Sequence, residues 1–133
     1  MTKPINILLI EDNPGDVRLV HELLRDAHDL PINLTVAPSL KEGLRRLATD
    51  VIQVILLDLN LPDSTGLSTF SQVYKQARET PVIIMSILED KETIYEAMQL
   101  GAQNYLIKGR MEYEALERAI RYALWSHTLI SKE

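Results

Sequence analysis

Val54-Ile55-Leu56-Leu57-Asp58-Leu59-Asn60-Leu61-Pro62-Asp63-Ser64-Thr65-Gly66 is the stretch that decides the fold. Val54 to Leu57 show no polar alternation, which is how a strand buried on both faces of a parallel sheet reads. The run delivers a carboxylate, Asp58, to its end, and the chain then breaks into a loop marked by Pro62 and Gly66. In open parallel α/β sheets ligands bind beyond the carboxyl ends of the strands, where an acid serves as nucleophile or metal ligand. A single aspartate there also serves as a turn or helix-capping residue. The company Asp58 keeps decides between these roles.

The chain of 133 residues is one domain's worth and long enough to bury a core unaided by metal or disulfide. With 46% hydrophobic and 25% charged residues, and no repeat or low-complexity tract, it reads as globular rather than disordered. The absence of cysteine removes disulfides, thiolate catalysis and zinc-thiolate sites together. The first apolar run, Ile5 to Ile10, is interrupted by Asn6 and too short for a signal peptide or membrane span, so a cytoplasmic protein with no membrane association is expected. A net charge of −5 gives no reason to expect direct contact with nucleic acid.

Ile5-Asn6-Ile7-Leu8-Leu9-Ile10 predicts a first strand, with Glu11 and Asp12 at its exit. Asn13 caps a helix with Pro14 in its first turn, and Val17, Val20, Leu24 and Ala27 line one face to about His28. Ile32, Leu34 and Val36 alternate with Asn33 and Thr35, as in an edge strand with one wet face. Ser39 is the expected cap of a second helix, with Leu40, Leu44, Leu47 and Ala48 inward. After the strand ending at Asp58, Leu67, Phe70, Val73 and Ala77 mark a third helix, and Val82 to Met85 a second doubly buried strand ending at Ser86. Ile94, Ala97, Met98 and Leu100 mark a fourth helix closed by Gly101. The last strand, Asn104 to Ile107, ends at Lys108-Gly109, and a final helix carries Tyr113, Leu116, Ala119, Ile120, Ala123 and Leu124 on one stripe. Strict alternation of strand and helix, with no room for a hairpin, predicts a doubly wound parallel (βα)5 sheet of flavodoxin-like order 2-1-3-4-5.

In that order one rim of the sheet collects Glu11, Asp12, Asp58, Ser86 and Lys108. Three crowded carboxylates either take up protons or are compensated by a hard divalent cation; with oxygen ligands and no cysteine, Mg²⁺ is the natural choice, with Mn²⁺ the alternative. A carboxylate can attack a phosphoryl group, which makes Asp58 the candidate nucleophile, with Lys108 supplying positive charge and Ser86 a hydroxyl to the phosphoryl oxygens. Each residue has a plainer role. Glu11 suits a helix N-terminus, Ser86 a strand end, Tyr105 an amphipathic edge position and Lys108 a solvated surface. The histidines, His21, His28 and His127, fall on helix surfaces or ends and read as bystanders.

Glu11-Asp12, Asp58-x-Asn60-x-Pro62-x-x-x-Gly66, Ser86 and Tyr105-x-x-Lys108 together resemble the receiver domain of bacterial two-component response regulators over about residues 5 to 125. The resemblance implies one receiver domain spanning 1–133, phosphorylated on Asp58 by a sensor histidine kinase or a phosphotransfer protein, with no other enzymatic activity than its own phosphorylation and dephosphorylation. It implies Mg²⁺ held by Glu11, Asp12, Asp58 and the backbone carbonyl of Asn60. Ser86 and Tyr105 match the family's switch pair, which reshapes the surface of helix four, strand five and helix five. That face is the expected contact for a downstream target, a linked output domain or a second copy.

Two positions depart from the usual pattern. Gly109 follows Lys108 where the family commonly has a cis-proline, which leaves the geometry of that peptide open. Ile87, followed by Leu88, stands where a small residue is typical; bulk there would hinder water and partners, so a long-lived phosphoryl group is expected. The final helix, from about Met111 to Thr128, would run roughly 27 Å without a Gly or Pro stop. A free-standing regulator and an N-terminal domain of a longer protein both fit. A haloacid-dehalogenase-like phosphatase would need an acid at position 60, where Asn60 stands. A flavodoxin-like cofactor binder would need a Gly- or Ser-rich loop where Glu11-Asp12 would repel phosphate. A receiver-like domain that signals without phosphorylation is the remaining alternative.

Overall fold

The structure is a computed structural model describing residues 3–25, 30–110 and 113–131, with the side chains of 113 and 127–131 outside the description. Five strands alternate with five helices: β1 (Ile5–Ile10), α1 (Pro14–Arg25), β2 (Ile32–Ala37), α2 (Leu40–Thr49), β3 (Val54–Asp58), α3 (Leu67–Gln76), β4 (Val82–Ser86), α4 (Lys91–Leu100), β5 (Asn104–Ile107) and α5 (Tyr113–Ser131). The strands form one parallel sheet in the order β2-β1-β3-β4-β5, the order expected from the hydrophobic patterning. Residues Val54 to Asp58 and Val82 to Ser86 are all buried, as central strands require, whereas β2 at the edge keeps Asn33 exposed.

Because side chains alternate across a strand, the sheet divides its residues between two layers. Ile7, Leu9, Val54, Leu56, Ile83 and Met85 pack with Val20 and Leu24 of α1 and Leu116, Ile120 and Ala123 of α5. Leu8, Ile10, Ile55, Leu57 and Ile84 pack on the other side with Leu40 of α2, Phe70 and Val73 of α3 and Ala97 of α4. Each fully buried aliphatic side chain contributes roughly 1.5–3 kcal/mol relative to exposure. This parity reaches the rim. Asp58 continues the α1/α5 set after Leu56, whereas Ser86, after Ile84, continues the α3/α4 set to which Tyr105 belongs.

Local chemistry sets the helix ends. Asn13 Oδ1 accepts from the Asp16 N–H at 3.0 Å, and Ser39 Oγ from the Glu42 N–H at 3.1 Å, each filling an orphan donor of a first turn. Gly101 closes α4 at φ 115°, a left-handed conformation that disfavours any Cβ, and a Cβ there would stand 2.8 Å from Tyr74 Cζ. Gly101→Ala is therefore expected to destabilise the protein by about 2 kcal/mol, read as a lower urea midpoint at unchanged slope.

The fourth helix is present, with Met98 and Leu100 exposed (42% and 43%), because α4 packs at the β5 edge and the sheet beneath it is covered by Ala97 and half-buried Ile94. Two expectations need correction. Ala48 is exposed as well, since buried Gly43 lets α2 approach β1 one turn earlier, close against the Ile10 side chain. Finally, a miniature antiparallel hairpin, Asn60–Leu61 with Ser64–Thr65, does fit between β3 and α3. The predicted ends of the first helix at His28 and of the last at Met111 fall outside the described residues.

Candidate functional site

Glu11 extends β1 by one further rung, its N–H donating to the Ala37 carbonyl at 2.9 Å, and its carboxylate is buried. Asp12, the next residue, is exposed. Asp58 is buried at the end of β3, with Oδ1 accepting from the Asn60 N–H at 3.3 Å. Carboxylate oxygens of Glu11, Asp12 and Asp58 all lie within 4.8 Å of one another, a group that could hold a metal ion. The donors are oxygens alone, and buried Glu11 Oε1 faces the Lys108 ammonium. A hard divalent cation of the Mg²⁺ type fits this set.

The loop that follows Asp58 is fixed from several directions. The Gly66 N–H donates to the Leu59 carbonyl at 2.8 Å, and the Ser64 and Thr69 hydroxyls hydrogen-bond at 2.6 Å. Gly66 takes φ 77°, so glycine is what lets the chain leave the hairpin for α3. Asp63, at the hairpin turn, reaches α2: its two carboxylate oxygens accept the N–H groups of Leu40 and Lys41, each at 2.9 Å. Those two donors, Lys41 first, hold the Asp63 carboxyl below its usual range.

Lys108 comes in from β5. Its ammonium lies 2.6 Å from Glu11 Oε1, 2.8 Å from Asp16 Oδ2 and 3.3 Å from Asp58 Oδ2. Burial pulls its pKa down, but the hydrogen bonds to Asp16 and Glu11 and the charge of Asp58 outweigh this and leave it raised. Burial pushes Glu11 up to about 7, and Asp58 adds to the rise while Lys108 opposes it. The pair therefore pulls two ways: the ammonium is strongly held, yet the buried carboxyl is harder to ionise than a free one. Lys108 to Arg110 form a 3-10 turn, with no cis peptide among the described residues, so the Lys108–Gly109 bond is trans. Arg110 of this turn pairs with Glu89 before α4.

On the other side of the rim, Ser86 and Tyr105 meet at one residue. Ser86 Oγ accepts from the Leu88 N–H at 3.0 Å, and the Tyr105 hydroxyl donates to the Leu88 carbonyl at 3.0 Å. The Tyr105 side chain is turned inward and buried. Ile87 is 75% and Leu88 50% exposed, and both line a cavity of about 420 Å³ that includes Glu11, Asp12, Asp58, Ser86 and Lys108. A larger groove of about 940 Å³ between α1 and β2 contains His21 but, among the described residues, no cluster of carboxylates, so size does not identify the site; the gathered charges do.

The sequence-predicted residues Glu11, Asp12, Asp58, Asn60, Ser86 and Lys108 thus line one cavity, and Tyr105 joins them through Leu88. Asp16, which binds Lys108, was not foreseen. Only its place in the first turn of a helix opening beside Asp12 could have drawn attention to it.

The fold and this rim define a class: a doubly wound α/β domain with carboxylates and one lysine gathered at the carboxyl ends of its strands. The family model for the response regulator receiver domain matches residues 7–121, and the chain belongs to that family. The nitrate/nitrite response regulator protein NarL of Escherichia coli (strain K12) is 29% identical over 130 residues, covering 98% of this chain and 59% of NarL. The transcriptional regulatory protein KdpE of Staphylococcus aureus is 33% identical over 102 residues, 77% of this chain and 42% of KdpE. The chain thus spans 59% and 42% of the length of these curated relatives. Among solved structures, a response regulator receiver domain protein from Clostridium thermocellum superposes with a TM-score of 0.81 at 27% identity, covering 95% of this chain and 98% of that one. Among the described residues no helix is long and apolar enough to cross a membrane.

Proposed function

We propose that this receiver domain is a phosphorylation-controlled switch whose phosphoacceptor is Asp58. A carboxylate oxygen of Asp58 attacks the phosphorus of a phosphohistidine on a sensor kinase or phosphotransfer protein. The new O–P bond forms as the P–N bond breaks, and the imidazole leaves with the electron pair. The observation that carries this reading is Asp58 buried at a strand end, 3.3 Å from the Lys108 ammonium and within 4.8 Å of two other carboxylates. Glu11, Asp12, Asp58 and the Asn60 carbonyl would hold Mg²⁺ or Mn²⁺, which neutralises phosphoryl oxygens when bound. Lys108 offers a positive charge to the phosphoryl group. Ser86, which uses its oxygen to accept from Leu88, keeps its proton for a phosphoryl oxygen.

The switch follows from Leu88. Its N–H is held by Ser86 and its carbonyl by Tyr105, so a demand on the Ser86 hydroxyl is felt at the tyrosine through one residue. The face of α4, β5 and α5 then changes for a target, a second copy or a linked output domain. The domain, read as a single unit over 1–133, works in the cytoplasm with no catalytic activity beyond gaining and losing its own phosphoryl group.

The test is intact mass spectrometry after incubation with acetyl phosphate. One phosphoryl group should be gained with Mg²⁺, and none with chelator or in Asp58→Asn; a gain that survives Asp58→Asn would overturn the assignment. Exposed Ile87 at the cavity mouth should slow access of water, so Ile87→Ala should lose the phosphoryl group severalfold faster than wild type. Equal decay rates would remove that role.

A further inference from the structure

The Lys108 ammonium has three N–H donors and faces three carboxylates from three elements: Glu11 after β1, Asp16 in α1 and Asp58 in β3. They are not equivalent. Glu11 and Asp58 belong to the cluster suited to a cation, and Asp58 is the proposed phosphoacceptor. Asp16 belongs to neither role, and its 2.8 Å contact with Lys108 is a hydrogen bond joining residues 92 positions apart in the chain. Its side chain is 35% exposed, against 0% for Glu11 and 6% for Asp58.

We infer that Asp16 is a positioning residue that holds the Lys108 ammonium at the rim, within reach of Asp58, when the other two carboxylates are engaged elsewhere. This rests on the phosphoacceptor reading of Asp58. A lysine side chain has four rotatable bonds, and ordering it is an entropic cost that a fixed partner meets beforehand. Asp16 is such a partner. It sits in the first turn of α1, whose backbone is set by the Asn13 cap, so its carboxylate is presented from a rigid element. A charge-assisted hydrogen bond of 2.8 Å then fixes the ammonium without occupying a phosphoryl or metal ligand.

A double-mutant cycle tests this with Asp16→Ala and Lys108→Met, because the effect of Asp16 on the α1 dipole is present in both backgrounds and cancels. In urea unfolding with chelator, Asp16→Ala should lower the midpoint more when Lys108 is present than when it is methionine. With Mg²⁺ and saturating acetyl phosphate, Asp16→Ala should slow phosphorylation of the Lys108 protein about tenfold, the loss of one oriented charge contact, leave the Lys108→Met protein unchanged, and be rescued at least partly by Asp16→Glu. Equal midpoint shifts in the two backgrounds overturn the inference whatever phosphorylation does, and so does an unchanged rate in Asp16→Ala. A wild-type protein that gains no phosphoryl group overturns instead the reading of Asp58, while the unfolding cycle still reports whether Asp16 holds Lys108.

Discussion

Lys108→Met is expected to cost about 3 kcal/mol of stability in chelator at neutral pH, and much less in saturating Mg²⁺. Methionine keeps the apolar stem, so the change is chiefly one of charge. The ammonium lies within 3.3 Å of Glu11, Asp16 and Asp58, and two of those side chains are almost fully buried. Removing one partner from a buried ionic group leaves uncompensated charge and costs about 3–5 kcal/mol; the lower end applies here because Asp16 is partly solvated. A divalent cation supplies the missing positive charge and, by binding only the folded protein, adds stability by mass action. The measurement is the urea midpoint of wild type and variant with chelator and with Mg²⁺. Equal midpoints in chelator would mean that the carboxylates are balanced without the lysine; a loss that Mg²⁺ leaves untouched would mean that the cation does not bind beside them.

Phe70→Ala is expected to remove about 4 kcal/mol, a large part of the 5–15 kcal/mol available to a domain of this kind. Phe70 is fully buried, lies in the layer formed by β1, β3 and β4 with α2, α3 and α4, and stacks on Tyr74 with ring centroids 5.4 Å apart. It is also placed one turn after Gly66, so it anchors the helix that leaves the loop after Asp58. The cavity left by the ring cannot close easily, because its neighbours are held in a sheet and two other helices. The urea midpoint should fall with the slope preserved. A loss below about 1 kcal/mol would mean that α3 settles into the space, since the cost of such a deletion depends on how far the site collapses.

Patterning that depends on one element was legible in the sequence. The unbroken runs at Val54 and Val82 gave the central strands, the alternation after Ile32 gave an edge, and Asn13, Ser39 and Gly101 marked helix ends at which the structure shows caps. The rim residues were legible because each follows a strand, and the sheet order brings the ends of those strands together. What depends on two elements was not. Met98 and Leu100 have helical spacing, but periodicity cannot say that α4 overhangs the last strand and lacks a surface to cover them. Asp16 looks like an ordinary first-turn acid until Lys108, 92 residues away, is placed against it. Asp63 looks like a turn residue until α2 is placed beside it.

The Asp63 contact has a consequence for the loop at the rim. Its carboxylate accepts two N–H groups at the start of α2, those of Leu40 and Lys41, while Ser39 accepts a third, that of Glu42. The hairpin that carries Asn60 is thus moored to a helix 23 positions earlier in the chain, and displacing it would expose two backbone donors, a cost that keeps the segment after Asp58 in place.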